Sequence, residues 1–182
     1  MSVAASPGPW YRRLVGYKNN NADDHTSIAA LSTAYIEAHK HRIEAILHGS
    51  IEHIVVVPSS RADRPFASQP LANVIRRSRP FRALLADGLS WVPSASLARA
   101  TYDPEVFREG GDLVSGKRVL LLEDLWVSGS HPLSAAGKLL ALGASAVMIL
   151  PVAREVSVDF CGPSHPYIIA MESAYSVDHW PR

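Results

Sequence analysis

Three stretches of this chain are apolar with little or no alternation: Ile51 to Val57, Val119 to Leu122, and Ser145 to Val152. Runs of this kind suit strands of a parallel sheet that is covered on both faces. Between residues 24 and 48 the rhythm changes. Ile28, Leu31, Tyr35, Ile36, Ile43, Ile46 and Leu47 recur at spacings near three and four, which predicts a long helix ended by Gly49-Ser50. A second helix is predicted over 133–142, with Pro132 near its first turn and a Gly143-Ala144 turn after it. Phe66 to Ala86 reads as helix in two pieces broken at Pro80. Leu89 to Val92 reads as a third strand, with Pro93 behind it. The strand-helix-strand unit over 119–152 is expected to be parallel and right-handed. Strands alternating with helices in this way predict an α/β fold with a mainly parallel sheet.

The remaining segments are patterned more weakly. Residues 1–9, with Pro7, Gly8 and Pro9, read as a loose lead-in. Residues 10–18 are amphipathic, aromatic and basic, and suit a short edge strand or a surface-packed segment. That stretch is compatible with phosphate or nucleic-acid contact, or with plain aromatic packing beside solvated Arg and Lys. Residues 19–24 form a turn-rich loop ending in helix-capping residues. Residues 94–116 are the least regular part, and 155–182 read as a C-terminal extension in which 167–171 suits one more strand. At 182 residues, without an internal repeat, the chain is expected to form one domain over 1–182.

Composition narrows the class. Hydrophobic content of 47% and charged content of 19% fit a globular protein rather than a disordered one. A net charge of +1 gives no global argument for nucleic-acid or membrane binding. The basic cluster Arg76, Arg77, Arg79 and Arg82 reads as a solvated helix face or as a nucleic-acid patch. The single cysteine, Cys161, excludes an intramolecular disulfide and suits a reducing cytoplasm. No apolar run approaches the roughly 20 residues of a membrane span, and the N-terminal residues lack the basic start and apolar core of a secretion signal. His39 and His41 point to different faces of the predicted helix, and His48, Cys161, His165 and His179 are scattered, so no metal site is expected from them.

Chemistry concentrates in Arg118 to Pro132. A buried strand there is predicted to end in two acids, Glu123 and Asp124. A loop of small polar residues follows, Val127-Ser128-Gly129-Ser130-His131, and then the predicted helix. Loop N–H groups and the positive end of a helix can hold a phosphate. Gly129 permits close approach or positive φ, and Ser128 and Ser130 add hydroxyl donors. Two acids repel a bare phosphate. They suit a ligand that also presents hydroxyls or carries a divalent cation.

The stretch Val119-Leu-Leu-Leu-Glu123-Asp124-Leu-Trp-Val127-Ser-Gly-Ser-His131 resembles the phosphoribosyl-diphosphate (PRPP) motif of type I phosphoribosyltransferases. The resemblance implies a doubly wound α/β fold with a mainly parallel sheet flanked by helices. It implies that Glu123 and Asp124 face the ribose hydroxyls and that Val127 to His131 wrap the 5′-phosphate. The loop Pro58-Ser-Ser-Arg-Ala-Asp-Arg-Pro65 stands where that family holds pyrophosphate, which assigns Arg61 foremost, with Ser59, Ser60 and Arg64, to the leaving group. Residues 94–116 stand where the family carries a mobile catalytic loop, with Arg99, Tyr102 and Arg108 as its candidate contacts, or form an ordinary connection or hairpin. Leu14 to Lys18 and Ile54 to Pro58 are similar to the ComF-like branch, without the cysteine-rich zinc element often found there.

The implied activity is transfer of 5-phosphoribosyl from PRPP to a nitrogen nucleophile, a nucleobase or a related compound, with release of pyrophosphate. Mg²⁺ would be held mainly through PRPP, with Glu123 and Asp124 as indirect contacts. A cytoplasmic enzyme, able to form a homodimer, is the expectation. The chain departs from the family pattern at Glu123, Trp126, Val127 and His131, and its first basic loop has no lysine. These departures keep a second reading open, a catalytically weak PRPP or nucleotide binder, or a ComF-like accessory protein of DNA uptake or processing.

Overall fold

The computed structural model describes residues 2–6, 9–18, 22–60, 65–157, 159, 162 and 164. Its elements are β1 (Ser2–Ser6), α1 (Pro9–Lys18), α2 (Ala22–Ile46), β2 (His53–Val56), α3 (Pro70–Arg77), β3 (Leu89–Trp91), β4 (Phe107–Glu109), β5 (Arg118–Trp126), α4 (Ser130–Ala141) and β6 (Ala146–Ser157). Among the described residues, four strands form a parallel sheet in the order β1-β6-β5-β2, while β3 and β4 pair antiparallel in a separate ribbon. Leu85 adds a single parallel bridge to Ile54 on the outer side of β2. Among the described residues, no helix is long and apolar enough to cross a membrane.

The apolar runs are continuous because both faces of the sheet are covered. Ile54 and Val56 of β2, with Leu120 and Leu122 of β5, face a core closed by Leu14 and Tyr17 of α1, Ile28, Ile36 and Ile43 of α2, and Leu71 and Ile75 of α3. Val55 and Val57, with Val119 and Leu121, face the other core, closed by Ala135 and Leu139 of α4 and by Leu89 and Phe107 of the ribbon. Alternate residues of one apolar run thus serve opposite layers. The α/β class with a parallel sheet flanked by helices is what the structure shows.

Several expectations need correction. The lead-in 1–9 supplies an edge strand, because β1 pairs with the far end of β6 from Ser2↔Ala153 to Ser6↔Ser157. That pairing also carries β6 to Ser157, past the predicted end at Val152. Residues 10–18 are helix rather than edge strand: Leu14 and Tyr17, three apart, both point into the first core. The buried stripe of α2 is Ile28, Ser32, Ile36 and Ile43, whereas Leu31 and Ile46 are exposed. His48, at φ +55°, takes the left-handed position that closes α2, and the Gly49 N–H bonds to Glu44 O at 2.9 Å. The strand at Leu89 pairs with β4, outside the main sheet, so 92–106 is the loop of a hairpin. The break at Pro80 is borne out, with α3 on one side and a 3-10 turn over 82–84 on the other. Residues 167–171, Cys161, His165 and His179 lie outside the described residues.

The N-terminal ends of β2 and β5 are tied together by charge. The Arg118 guanidinium reaches Glu52 at 2.9 Å, and the Arg118 backbone N–H donates to Glu52 Oε2 at 3.1 Å. That backbone bond, with the Arg118 and Lys117 charges, holds the Glu52 carboxyl below its ordinary range against some desolvation.

Candidate active site

At their C-terminal ends β2 and β5 remain adjacent and then part. Val56 pairs with Leu122, and the Val57 N–H donates to Leu122 O at 2.9 Å. From there the chain after β2 goes to α3, which packs in the first core and leads outward to Leu85. The chain after β5 goes to α4, which packs in the other core and leads to β6. Two loops leaving neighbouring strands in opposite directions form the switch point at which open α/β sheets hold ligands. A cleft of about 520 Å³ lies there.

Glu123 and Asp124 line this cleft and are half-buried. The sequence predicts that the strand ends at these two acids. In the structure β5 continues through them to Trp126, because Leu125 and Trp126 pair with Ala153 and Arg154 of β6. Cross-strand pairing overrides the polar composition of that segment. The Glu123 carboxylate accepts the Asp124 N–H at 3.1 Å.

The loop that follows is built for a tight turn. Gly129 has φ +84°, and a Cβ there would sit 2.7 Å from Trp126 Cζ2. Only glycine fits both the backbone angle and the space. The hydroxyls of Ser128 and Ser130 are 2.9 Å apart. Gly129 is the N-cap of α4 and has no side chain with which to cap it. The Gly129 carbonyl accepts the first helical bond, from Leu133 N–H at 3.0 Å. The first turn of α4 therefore opens at the cleft, lined there by Ser130, His131 and Pro132, and suits an anion. The His131 ring lies 5.4 Å from Trp91 of β3, which in turn meets Phe107 of β4 edge to face at 5.3 Å. The ribbon thus braces the loop.

Val127 lines the cleft from an exposed position, and Ser59 and Ser60 line it from the β2 side. Arg61 and Arg64 lie outside the described residues. Arg99 and Tyr102 are exposed on the hairpin loop and are not part of the cleft wall. The loop is seated on α4 instead. Tyr102 packs against Gly137, Asp103 N–H donates to Ser134 Oγ at 2.9 Å, and Lys138 Nζ meets Glu105 at 2.9 Å. Arg108 bonds across the ribbon to Ser90 Oγ at 3.0 Å. Of the arginine cluster, Arg76, Arg77, Arg79 and Arg82 are all exposed, and Arg76 lies over the Phe66 ring at 5.7 Å. None of the four lines the cleft.

Sequence reasoning missed part of the wall. Val15 and Tyr17 of α1 and Gln69, Pro70 and Leu71 at the head of α3 complete it. The basic aromatic stretch 10–18 was a signal for the first pair. Nothing in the sequence singles out Gln69.

No family model matches this chain, and no curated protein does. Among solved structures, a hypoxanthine phosphoribosyltransferase from Trypanosoma cruzi, a mutant complexed with the product IMP, matches with a TM-score of 0.42 and 10% identity, over 71% of this chain and 72% of its own. An alanine mutant from the analysis of an invariant aspartic acid in HPRTs matches with a TM-score of 0.43 and 9% identity, over 71% of this chain and 75% of its own. Likeness at this level carries no weight for activity, and the fold class rests on the strand order and layers described above.

Proposed function

We propose that this chain binds PRPP in the cleft and transfers its 5-phosphoribosyl group to a nitrogen nucleophile with release of pyrophosphate, as the type I phosphoribosyltransferases it resembles do. One observation carries the reading: the acid pair Glu123 and Asp124, the loop 127–131 and the start of α4 share one cleft with the loop after β2. An anion site beside two carboxylates suits a ligand with a phosphate at one end and vicinal hydroxyls next to it.

In this reading Ser128, Ser130 and the N–H groups at the start of α4 hold the 5′-phosphate. Glu123 and Asp124 accept from the ribose hydroxyls and fix the ring. Ser59 and Ser60, with Arg61 and Arg64 beyond them, take the leaving pyrophosphate. The acceptor nitrogen bonds to carbon 1 as the bond from carbon 1 to pyrophosphate oxygen breaks, and the nitrogen loses its proton. Carbon 1 gains positive character on the way, so the protein's share is orientation and charge placement. The two adjacent carboxylates are hard oxygen donors that fit Mg²⁺, and they are too few to hold it without ligand oxygens. When bound, Mg²⁺ would offset charge on the departing pyrophosphate.

Pyrophosphate release tests the reading. PRPP with Mg²⁺ and a panel of nucleobases is expected to give release that depends on one acceptor. PRPP binding without release for any acceptor would favour the weak-catalyst reading, which the exposed Val127 in place of a hydroxyl supports. Neither binding nor release would remove both.

A further inference from the structure

Gln69 is placed where neither the helix nor the core uses its side chain. It is 5% exposed, and its Oε1 is buried without a hydrogen-bond partner among the described residues. Its backbone is fully engaged, with the N–H on Phe66 O at 3.3 Å and the carbonyl accepting Asn73 N–H at 3.0 Å. It holds the N-cap of α3, a position that favours shorter polar side chains, and makes no side-chain cap there. A buried acceptor left unpaired is costly, and native structures rarely keep one. This one is kept on the wall of the cleft.

The part of the wall that α1, α3 and Leu125 supply is mainly apolar. Val15 and Tyr17 come from α1, Pro70 and Leu71 from α3, and Leu125 from β5. A mainly apolar wall that carries one carboxamide suits the face of a flat ring together with one edge contact. An amide oxygen does not suit a phosphate, since it repels an anion. Ribose hydroxyls already have Glu123 and Asp124. The group left to meet Gln69 is a donor on the acceptor.

We infer that Gln69 selects the acceptor, its carboxamide turning into the cleft so that the oxygen, otherwise buried and unpaired, takes a hydrogen bond from a ring N–H of a flat heterocycle set against α1 and α3. The inference rests on the cleft being the PRPP site.

The test is calorimetric titration of ribose 5-phosphate, of inosine and uridine 5′-monophosphates, and of their ring N-methyl counterparts (1-methyl and 3-methyl). Wild type, Gln69→Met and Gln69→Glu are compared. Wild type is expected to bind one parent nucleotide about tenfold more tightly than its N-methyl form, the worth of one buried hydrogen bond. Gln69→Met should bind the two alike, with ribose 5-phosphate affinity unchanged, and should melt at a higher temperature than wild type without ligand. Gln69→Glu keeps an oxygen acceptor of the same reach and should keep the preference. If Gln69→Met does not fold, the wild-type and Gln69→Glu comparisons decide. Equal binding of parent and methylated nucleotides by wild type, or a preference that survives in Gln69→Met, would overturn the inference while leaving the phosphate site intact. Failure of ribose 5-phosphate to bind wild type would sink the cleft reading, and this inference with it.

Discussion

Gly129 rests on the Trp126 indole, with space for a hydrogen and none for a methyl group: a Cβ would lie 2.7 Å from Cζ2. The bulky residue and the smallest one form a matched pair, and the turn from β5 into α4 depends on both.

Gly129→Ala therefore meets two penalties, a positive φ and a collision with Trp126. The expected loss is about 2 kcal/mol of stability, read from denaturant unfolding, together with weaker ribose 5-phosphate binding. Trp126→Ala in the Gly129→Ala background should recover part of the stability, since it removes the collision and leaves the strained φ.

The hairpin loop is held on α4 by contacts that Gly137 makes room for, since a Cβ at 137 would overlap Tyr102. Gly137→Val is expected to lift residues 98–105 from the helix. Limited proteolysis should then cut within that loop several-fold faster, while the melting temperature changes little, because the core contacts of α4 come from Ala135 and Leu139. Unchanged cleavage would show that the loop is anchored elsewhere.

Asp87 provides a pH test. Burial, then repulsion from Asp112, pushes its carboxyl above the usual carboxylate range, against a Gly111 N–H bond that lowers it, and its Oδ1 is buried without a partner among the described residues. A raised folded pKa means that folding favours the protonated form. That contribution is fully present below the unfolded value of about 3.9 and is lost as pH rises through the folded value. Asp87→Asn should raise the melting temperature near neutral pH, and the gain should fade as the pH falls toward 4. A gain that stays constant with pH would show that charge is not its cause.

The parts of the fold that could be read from sequence are those where one residue pattern has one packing solution. Ile54-Val-Val-Val57 and Val119-Leu-Leu-Leu122 need two covered faces, and both have them. The parts that could not be read gain their structure from partners distant in sequence. Val3-Ala4-Ala5 carries little strand signal of its own and becomes β1 through pairing with β6. Leu14 and Tyr17 look like an aromatic surface until α2 is packed against them. β5 outruns its apolar stretch because Leu125 and Trp126 still have β6 beside them.

The site divides in the same way. Glu123, Asp124 and Val127 to His131 are contiguous, so a local motif names them, and the structure brings them to one cleft. Ser59 and Ser60 join them because β2 is the neighbour of β5. Gln69, the N-cap of α3, and Tyr17 of α1 lie 54 and 106 residues before Glu123 in sequence, and no local pattern marks Gln69 as its neighbour. Arg99 enters the site only by analogy of position, and its loop lies on α4 instead of on the cleft.

The most direct measurement is calorimetric titration of PRPP into wild type and Asp124→Asn, each with and without Mg²⁺. Micromolar binding that requires Mg²⁺, and that weakens at least tenfold in Asp124→Asn while ribose-free phosphate is unaffected, is the predicted result. Wild type that ignores both PRPP and ribose 5-phosphate would contradict it, leaving Glu123, Asp124 and the loop 127–131 as the end of a strand and a turn.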